Sequence, residues 1–572
     1  MLLFVFIGSY SGRRVKQLDD YFVAGRQAPT LLIVGTLVAS VFSTSIFLGE
    51  AGFTYDGQMG PYILFPGIAV VGYVYGALLF GTYLRRSRAP TVADFLGQRF
   101  NSHRVQQAAG VTIILGLGGY LLVVTQGAAI LLSDLTGLSY GQAIVCAWMS
   151  YTLFTLYSGS RGVIITDTLM FMLFTGATLF FAAFIVADME GLRTAVENMA
   201  QLEEKPDIAS WHGTVGPGTE WATPTEFLIW TVIIDMSWGI VYAVSPWQAS
   251  RHLMARDEHV VIRSAIYACF AVILIQILIY GLGGLINLAN PNINPSETVM
   301  IWAAKNLVPE FLGALLLAGI VAAALSSAST FLSLVGFSVS NDMVKRHSPT
   351  LWGTRLVMLV TGLVVLLASF YFPPNIFWLM LFIGTVFASS WGPVGFMSIW
   401  SKRITADAAF WGIVTGFGFN VVPAALEYLG MVNWPVYWSP AVIGASASII
   451  TILLVSRMGE VTPKEQSYRE ALHHTPAEDL ATGKTRLTLW GPRLLIVYGC
   501  VMPLLLLYYY VIPYQQGTGE LAASGGVNWG QGEALIVIAI PCLFVPLGLL
   551  ASRVIRQRYL PTSGVSVSPN RV

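Results

Sequence analysis

Charged residues are scarce in this sequence, and their scarcity excludes several classes of protein. Lys, Arg, Asp and Glu make up only 11% of the 572 residues, and 31 basic against 30 acidic residues leave a net charge of +1. The chain has neither a positive surplus nor a Lys- or Arg-rich run that could follow a phosphate backbone. We therefore expect no nucleic-acid partner.

Clustered catalytic or metal-ligating residues are missing as well. The four cysteines are far apart and lie in apolar stretches, where they are small hydrophobes. The seven histidines are scattered without partners, which argues against a membrane-embedded enzyme. The segment ATGKT ends like a phosphate-binding loop, but Glu478 stands where that motif needs glycine. We expect neither an enzyme nor an ATPase, so an ion gradient must drive any uphill transport.

What the chain has instead is long apolar runs. Apolar residues make up 55% of it, in runs of about twenty, the length that crosses a bilayer as a helix. We predict an all-α polytopic membrane protein with a short hydrophobic segment within residues 1–27 and about 14 transmembrane helices. The predicted spans are 28–51, 62–84, 108–132, 140–157, 165–187, 227–245, 264–289, 312–339, 354–372, 377–400, 408–428, 438–456, 490–513 and 533–552.

The distribution of Lys and Arg supports this set of spans. With alternating connections assigned to the cytoplasm, only Arg193, Lys205 and Lys305 fall outside, which leaves 28 of the 31 basic residues inside. The pattern predicts a cell (inner) membrane protein, embedded in lipid, with a cytoplasmic C-terminus. Two long connections remain, an outer one at 188–226 and an inner one at 457–489. The outer one is either a surface loop, which we favour, or a lid over an external opening.

Two spans carry more hydroxyl groups than hydrocarbon would favour. Ser40, Ser43, Thr44 and Ser45 lie at the centre of the first span, where they can loosen the helix and free carbonyl groups for a small cation. Packing between helices through small residues is the alternative. The span at 312–339 becomes rich in serine from Ser326 onward, which indicates a helix with one polar face.

Acidic residues inside the spans are a stronger sign of function. Asp167 and Asp235 lie within predicted spans, where a carboxylate costs roughly 2.5 to 3.5 kcal/mol unless it is paired, protonated or facing a cavity. No Lys or Arg lies inside any predicted span to pair with them, which favours a cation, a proton or a cationic substrate group. The alternative for Asp235 is a neutral carboxyl group bonded to a neighbouring helix. We expect Glu50 and Asp56 to lie in a solvated vestibule at the outer end of the first span.

A set of short motifs resembles a known family. The motifs occur in order between residues 19 and 403, and their combination is similar to the sodium/solute symporter family. They are DDYFVAGR, ASVFSTSIFLGEAG, YSGSRGVIITD, SRHLMARDEH, AAALSSAST and FSVSND.

The resemblance implies an architecture. It implies a five-plus-five inverted-repeat transporter core whose first and sixth helices are broken in mid-membrane. The repeats would be 28–187 and 227–403, joined by the extracellular loop 188–226. Residues 404–572 would form peripheral helices, the cytoplasmic loop 457–489 and a cytoplasmic tail.

The resemblance also implies a sodium site. Its ligands would be the carbonyl groups of Ala39, Phe42 and Ala323 and the hydroxyl groups of Ser326 and Ser327. Carbonyl and hydroxyl oxygens suit a hard cation, and positions 323, 326 and 327 share one helical face.

A possible second sodium would use Asp167 together with the paired Ser326 and Ser327. Ala323 stands where some two-sodium members of the family have another serine, so the number of ions stays open.

The function implied is sodium-coupled symport of a small organic solute by alternating access. Sugar transporters of this family use a carboxylate on the second helix and a lysine on the seventh, whereas the spans 62–84 and 264–289 lack interior charges here. An amino acid, an amine or a monocarboxylate is therefore favoured over a sugar. A sodium-independent uniporter or channel and a proton-coupled transporter are the alternatives. The candidate substrate-binding residues are Ser43, Thr44, Ile46, Gln126, Asp235, Trp238, Tyr242, Phe387 and Ser389.

Overall fold

The protein is helical throughout the part that the computed structural model describes, residues 22–343 and 350–560. Within these ranges there is no β-strand, and the one isolated bridge joins Ala28 to Ala255. Most of the predicted N-terminal hydrophobic segment lies outside the described residues. All-helical architecture, as the apolar runs predicted, is confirmed.

Sixteen helical segments carry the fold. The first six are α1 (Thr30–Ala39), α2 (45–58), α3 (Gly67–Ser87), α4 (His103–Thr136), α5 (140–158) and α6 (Gly159–Asp188). The middle six are α7 (Pro224–Val244), α8 (Pro246–Met254), α9 (Glu258–Leu288), α10 (Glu310–Asp342), α11 (Leu351–Tyr371) and α12 (Ile376–Trp400). The last four are α13 (Ala406–Tyr428), α14 (Val436–Met458), α15 (Thr482–Thr518) and α16 (Gly532–Tyr559).

Twelve helices in the described part are long and apolar enough to cross a membrane, with α7 and α8 counted together. Each coincides with one of the fourteen predicted spans. The other two predicted spans are 28–51, which is divided between α1 and α2, and 140–157, which coincides with α5. A multi-pass membrane protein is therefore established, and the count of fourteen stays a prediction.

The first predicted span is interrupted in its serine-rich centre. The α1 helix ends at Ala39. The Ser40 hydroxyl donates to the Leu37 carbonyl oxygen of the same helix, 3.0 Å away. The next helical segment begins at Ser45, whose N–H donates to the Ser43 hydroxyl at 3.1 Å. Local side-chain bonds of this kind compete with helical hydrogen bonding, which is why serines mark the interruption.

A second interruption separates α7 from α8. Ser245 adopts an extended ψ of 146° directly before Pro246, because proline lacks an N–H and disfavours helical geometry in the residue before it. Gln248 connects the two interruptions, donating to the Ser40 hydroxyl at 3.2 Å and accepting from Tyr73 at 3.1 Å. The two interrupted elements therefore lie side by side.

Both long connections pack against the helices. In the outer loop, Ile208 accepts from the Gly60 N–H at 3.0 Å, and the Thr214 N–H donates to Gly57 at 2.8 Å. In the inner loop, the backbone carbonyl oxygen of Glu465 accepts a hydrogen bond from the Arg99 guanidinium at 3.2 Å. The outer loop is thus hydrogen-bonded to the end of α2 and to the segment that follows it.

Candidate functional site

A cluster of oxygen atoms lies where the end of α1 meets α10. The Ser327 hydroxyl is 3.0 Å from the Phe42 carbonyl oxygen and 3.3 Å from that of Ala39, and the Ser326 hydroxyl is 3.2 Å from Ala39. All four residues are fully buried, as is Ala323 one turn earlier on α10. Four of the five residues predicted to bind sodium are therefore in mutual contact, and the fifth lies on the adjoining turn.

The other hydroxyl groups of α10 do not take part in this cluster. Ser329 donates to the Ser326 carbonyl of its own helix at 2.8 Å, and Ser333 donates to Ser329 at 2.7 Å. Only Ser326 and Ser327 reach across to the interruption after α1. The serine-rich face predicted for this helix thus contains two hydroxyl groups that reach the interruption, others such as Ser338 that contact a different helix, and several that bond to their own backbone.

Asp167 adjoins the oxygen cluster. It is fully buried and accepts from the Thr36 hydroxyl at 2.6 Å and the Ser326 hydroxyl at 2.7 Å. Because Ser326 has one proton, donating it to Asp167 turns the hydroxyl lone pairs toward the carbonyl groups. The carboxylate therefore orients Ser326 as an acceptor for a cation.

Asp167 also has a basic partner, which corrects the expectation that no Lys or Arg lies within a span. The Arg251 guanidinium lies 4.0 Å from the Asp167 carboxylate and donates to the Thr330 hydroxyl at 2.5 Å. Arg251 belongs to α8, which we had assigned to a cytoplasmic connection. The helix continues beyond the Ser245 interruption, and this extension carries the arginine into the buried interior.

The oxygen cluster suits a small hard cation. Around an ion with metal–oxygen distances of about 2.3 to 2.6 Å, neighbouring ligand oxygens stand roughly 3 Å apart. The measured separations of 3.0 to 3.3 Å match that spacing.

A cavity of about 640 Å³, including its open mouth, lies next to the same interruption. Residues from α2, α3, α4, α7, α9 and α12 and from the interruption itself line it. Its polar lining consists of Glu50, Asp235, Thr231, Gln276 and several Tyr and Trp side chains.

Four of the nine predicted substrate-binding residues line this cavity: Ile46, Asp235, Trp238 and Tyr242. The other five have different neighbours in the described structure. Ser43 bonds to Ser45, Thr44 to Val124, Gln126 to Phe372, and Ser389 to Gly416, while the Phe387 ring packs against Trp247.

Glu50 lies in a different environment from the one predicted from the sequence. It was expected in a solvated vestibule, but it is only 7% exposed, lines the cavity and accepts a hydrogen bond from Tyr280. Tyr280 and Gln276 were not predicted either. A signal was present, since they are four residues apart in α9, the spacing that puts two polar groups on one face of an apolar helix.

The outer loop packs against residues near the mouth of the cavity. Trp221 in this loop is 4% exposed, and its ring centroid lies 4.7 Å from that of Trp230, which lines the cavity. Trp221 also packs edge-on to Phe53, which stacks on Phe377 at 4.1 Å. These contacts show that the outer loop packs closely on the helices, and the choice between a surface loop and a lid stays a prediction.

Comparison with known proteins places this arrangement among transporters. The sequence model of the sodium:solute symporter family matches residues 21–416. The sodium/pantothenate symporter of Escherichia coli (strain K12) is 24% identical over 469 residues, covering 78% of this chain and 92% of that protein. The sodium/proline symporter of the same organism is 21% identical over 499 residues, covering 83% and 95%.

A solved structure shows the same fold. The outward-open, substrate-bound structure of a Na⁺-coupled sialic acid symporter has a TM-score of 0.67 at 20% identity, covering 81% of this chain and 97% of that one. The fold, together with the match to the symporter family model, identifies a secondary transporter. The chain belongs to the sodium:solute symporter family, whose model matches more than half of its length. It carries out sodium-coupled symport of a small solute, with sodium as the coupling ion, and is not an enzyme.

Proposed function

We propose that the transported sodium binds between α1 and α10. Its ligands are the carbonyl groups of Ala39, Phe42 and Ala323 and the hydroxyl groups of Ser326 and Ser327. The observation that carries this proposal is the contact of both hydroxyl groups with carbonyl oxygens of the interrupted helix, at 3.0 to 3.3 Å. The solute occupies the cavity lined by Asp235, Trp238 and Tyr242.

One short segment couples the two sites. Ala39 and Phe42 present carbonyl groups to the oxygen cluster, while Val41 between them lines the cavity. Sodium binding holds this segment against α10 and thereby fixes one wall of the solute cavity. Loss of sodium to the cytoplasm releases the segment, so the ion and the solute bias the same conformational equilibrium.

The interruptions at 40–44 and at Ser245 are our candidates for the broken first and sixth helices of a five-plus-five inverted repeat. Residues 28–187 and 227–403 form the two repeats in this proposal, and the helices after residue 404 are peripheral. The bias of Lys and Arg favours the inner membrane with a cytoplasmic C-terminus. Alternating access then follows from rocking of one repeat against the other.

Joint replacement of Ser326 and Ser327 by alanine tests the sodium site. We expect the sodium concentration that gives half of the maximal thermal stabilisation of the purified protein to rise at least about tenfold, because two of five ligands are lost. The control is Ser333→Ala, which removes a hydroxyl that bonds only its own helix. An unchanged sodium response in the double variant would refute the assignment.

The number of sodium ions depends on Asp167, which we propose as a ligand for a second ion together with Ser326. At about 100 mV and a tenfold gradient, each sodium contributes roughly 3.7 kcal/mol, so a second ion raises the attainable accumulation from about 500-fold to about 10⁵-fold. We expect a Hill coefficient near 2 for the sodium dependence of solute binding. A coefficient near 1 in the wild-type protein contradicts the second site.

A further inference from the structure

The solute cavity holds two carboxyl groups and, among the described residues that line it, no Lys, Arg or His. Glu50 is only 7% exposed and accepts a hydrogen bond from the Tyr280 hydroxyl. The Oδ2 atom of Asp235 is buried and has no hydrogen-bond partner in the described structure. Charged carboxyl groups without a basic partner in an apolar enclosure are unfavourable unless they take up a proton or bind a cationic ligand.

Other polar atoms in the cavity are also incomplete. Gln276 is 5% exposed and Trp238 is 8% exposed, and within the described residues neither Gln276 Oε1 nor Trp238 Nε1 has a hydrogen-bond partner. Asp235, Glu50 and Gln276 offer acceptors and Trp238 offers a donor, while the Thr231 hydroxyl, which also lines the cavity and has no partner among the described residues, can either donate or accept. A ligand that satisfies this set must carry more donors than acceptors.

The aromatic lining favours a positive charge in particular. Tyr62, Tyr120, Trp230, Trp238, Tyr242 and Tyr280 all line the cavity. Tyr62 and Tyr280 meet edge to face at 4.8 Å, and Trp238 lies 5.9 Å from Tyr242. Rings around a desolvated ammonium group attract it through their quadrupoles, by about 2 kcal/mol in favourable cases.

A carboxylate on the ligand would lack a basic partner here. The N–H groups at the start of α2 are occupied, since those of Ser45, Ile46 and Phe47 all donate to Ser43, at 3.1 to 3.2 Å. The helix start at Ser45 therefore presents these donors to its own chain. Together with two carboxyl groups in the wall, this disfavours both monocarboxylates and amino acids.

We propose that the solute is an organic cation, a small amine without a carboxylate group, whose ammonium group is bound by Asp235 and Glu50 within the aromatic lining. This inference rests on the proposed assignment of the cavity to the solute. It narrows the substrate class from amino acid, amine or monocarboxylate to amine.

Thermal stabilisation of the purified full-length protein by matched probes tests the charge requirement. Butylamine, phenethylamine and choline are compared with pentanoate, 3-phenylpropionate and phenylalanine, each in sodium chloride and in potassium chloride. We expect at least one amine, and none of the carboxylates or phenylalanine, to raise the Tm in sodium. Stabilisation by a carboxylate or by phenylalanine, or by no amine although sodium alone stabilises, overturns the proposal.

Amide variants of the two acids then locate the binding site. Asp235→Asn and Glu50→Gln keep the side-chain shape and remove the charge, so we expect each to weaken the apparent affinity for the stabilising amine at least about tenfold. Glu310→Gln, at an exposed position, should leave that affinity unchanged. Equal affinity in wild type and in both cavity variants refutes the assigned role of the carboxyl groups.

Failure of this inference is distinguishable from failure of the sodium site. Stabilisation by sodium that is lost in the Ser326→Ala/Ser327→Ala variant supports the ion site whatever the amines do. Amine binding that is equal in potassium and in sodium supports the cation cavity and refutes its coupling to sodium. Amine binding that strengthens only as the pH rises, with no effect of sodium, overturns the sodium-coupled amine proposal, because a proton then competes for the carboxyl groups.

Discussion

Replacing Asp167 by alanine is expected to abolish sodium-dependent uptake and to lower the free energy of unfolding by about 3 to 5 kcal/mol. The Arg251 side chain is only 3% exposed and Asp167 is fully buried, so the variant leaves a guanidinium group in the interior without its carboxylate. The same change removes the acceptor that orients Ser326. Uptake in vesicles and chemical denaturation in detergent measure the two effects separately.

A double-mutant cycle with Arg251→Met identifies the cause of the instability. If a buried ion pair is responsible, Asp167→Ala/Arg251→Met should be destabilised by less than the sum of the two single variants, because neither charge is left alone. Asp167→Asn preserves the shape and should retain more stability than Asp167→Ala. Strict additivity in the cycle would show that the two residues do not interact, contrary to their 4.0 Å separation.

Enlarging Gly72 is expected to be strongly damaging, although Gly72 lies outside the two sites. A Cβ atom at this position of α3 would lie 2.1 Å from the Gly239 carbonyl oxygen of α7. One turn on, a Cβ at Gly76 would lie 2.4 Å from the Ala243 Cα. Backbones this close cannot give way as side chains do, so Gly72→Ala should cost at least about 1 to 3 kcal/mol by overpacking.

The effect should reach the solute cavity, because α7 carries Asp235, Trp238 and Tyr242. We expect Gly72→Ala to reduce solute uptake more than its loss of folded protein explains, as measured per folded molecule after fluorescence-detected size exclusion. Gly118→Ala is the matched control, since a Cβ there meets no described atom within 4 Å. It should be neutral or slightly stabilising, because alanine is the better helix former. Equal stability of the two variants would contradict the close contact.

Hydrophobic runs were a sound basis for the fold, and hydroxyl and carboxyl groups within them were a partial guide to the sites. The helical, multi-pass architecture and the sodium symporter family were predicted and are confirmed. The five predicted sodium ligands lie together around one interruption, and their role stays a prediction. Ser43, Gln126 and Ser389 were candidates for solute binding by their position at mid-membrane, but their hydrogen bonds go to neighbouring backbone or side chains.

The failures have one physical origin. Glu50 and Arg251 lie near the ends of their apolar runs, where a charged side chain is ordinarily solvated. The sequence therefore predicted a solvent-exposed position for both residues. Their burial follows from what packs against them: Tyr280 of α9 beside Glu50, and α6 and α10 beside Arg251. Such partners are far away in the sequence.

The sequence by itself determined the class of protein, because bilayer thickness and the cost of buried charge act on local composition and leave a pattern of apolar runs. It also marked the interruption after Ala39, since serine side chains compete for backbone hydrogen bonds with their own neighbours. The tertiary structure alone decided which polar groups meet. Asp167 pairs with Arg251, and Glu50 shares one cavity with Asp235. Both arrangements depend on how separate helices pack, and the periodicity of side chains along any one helix carries no information about that packing.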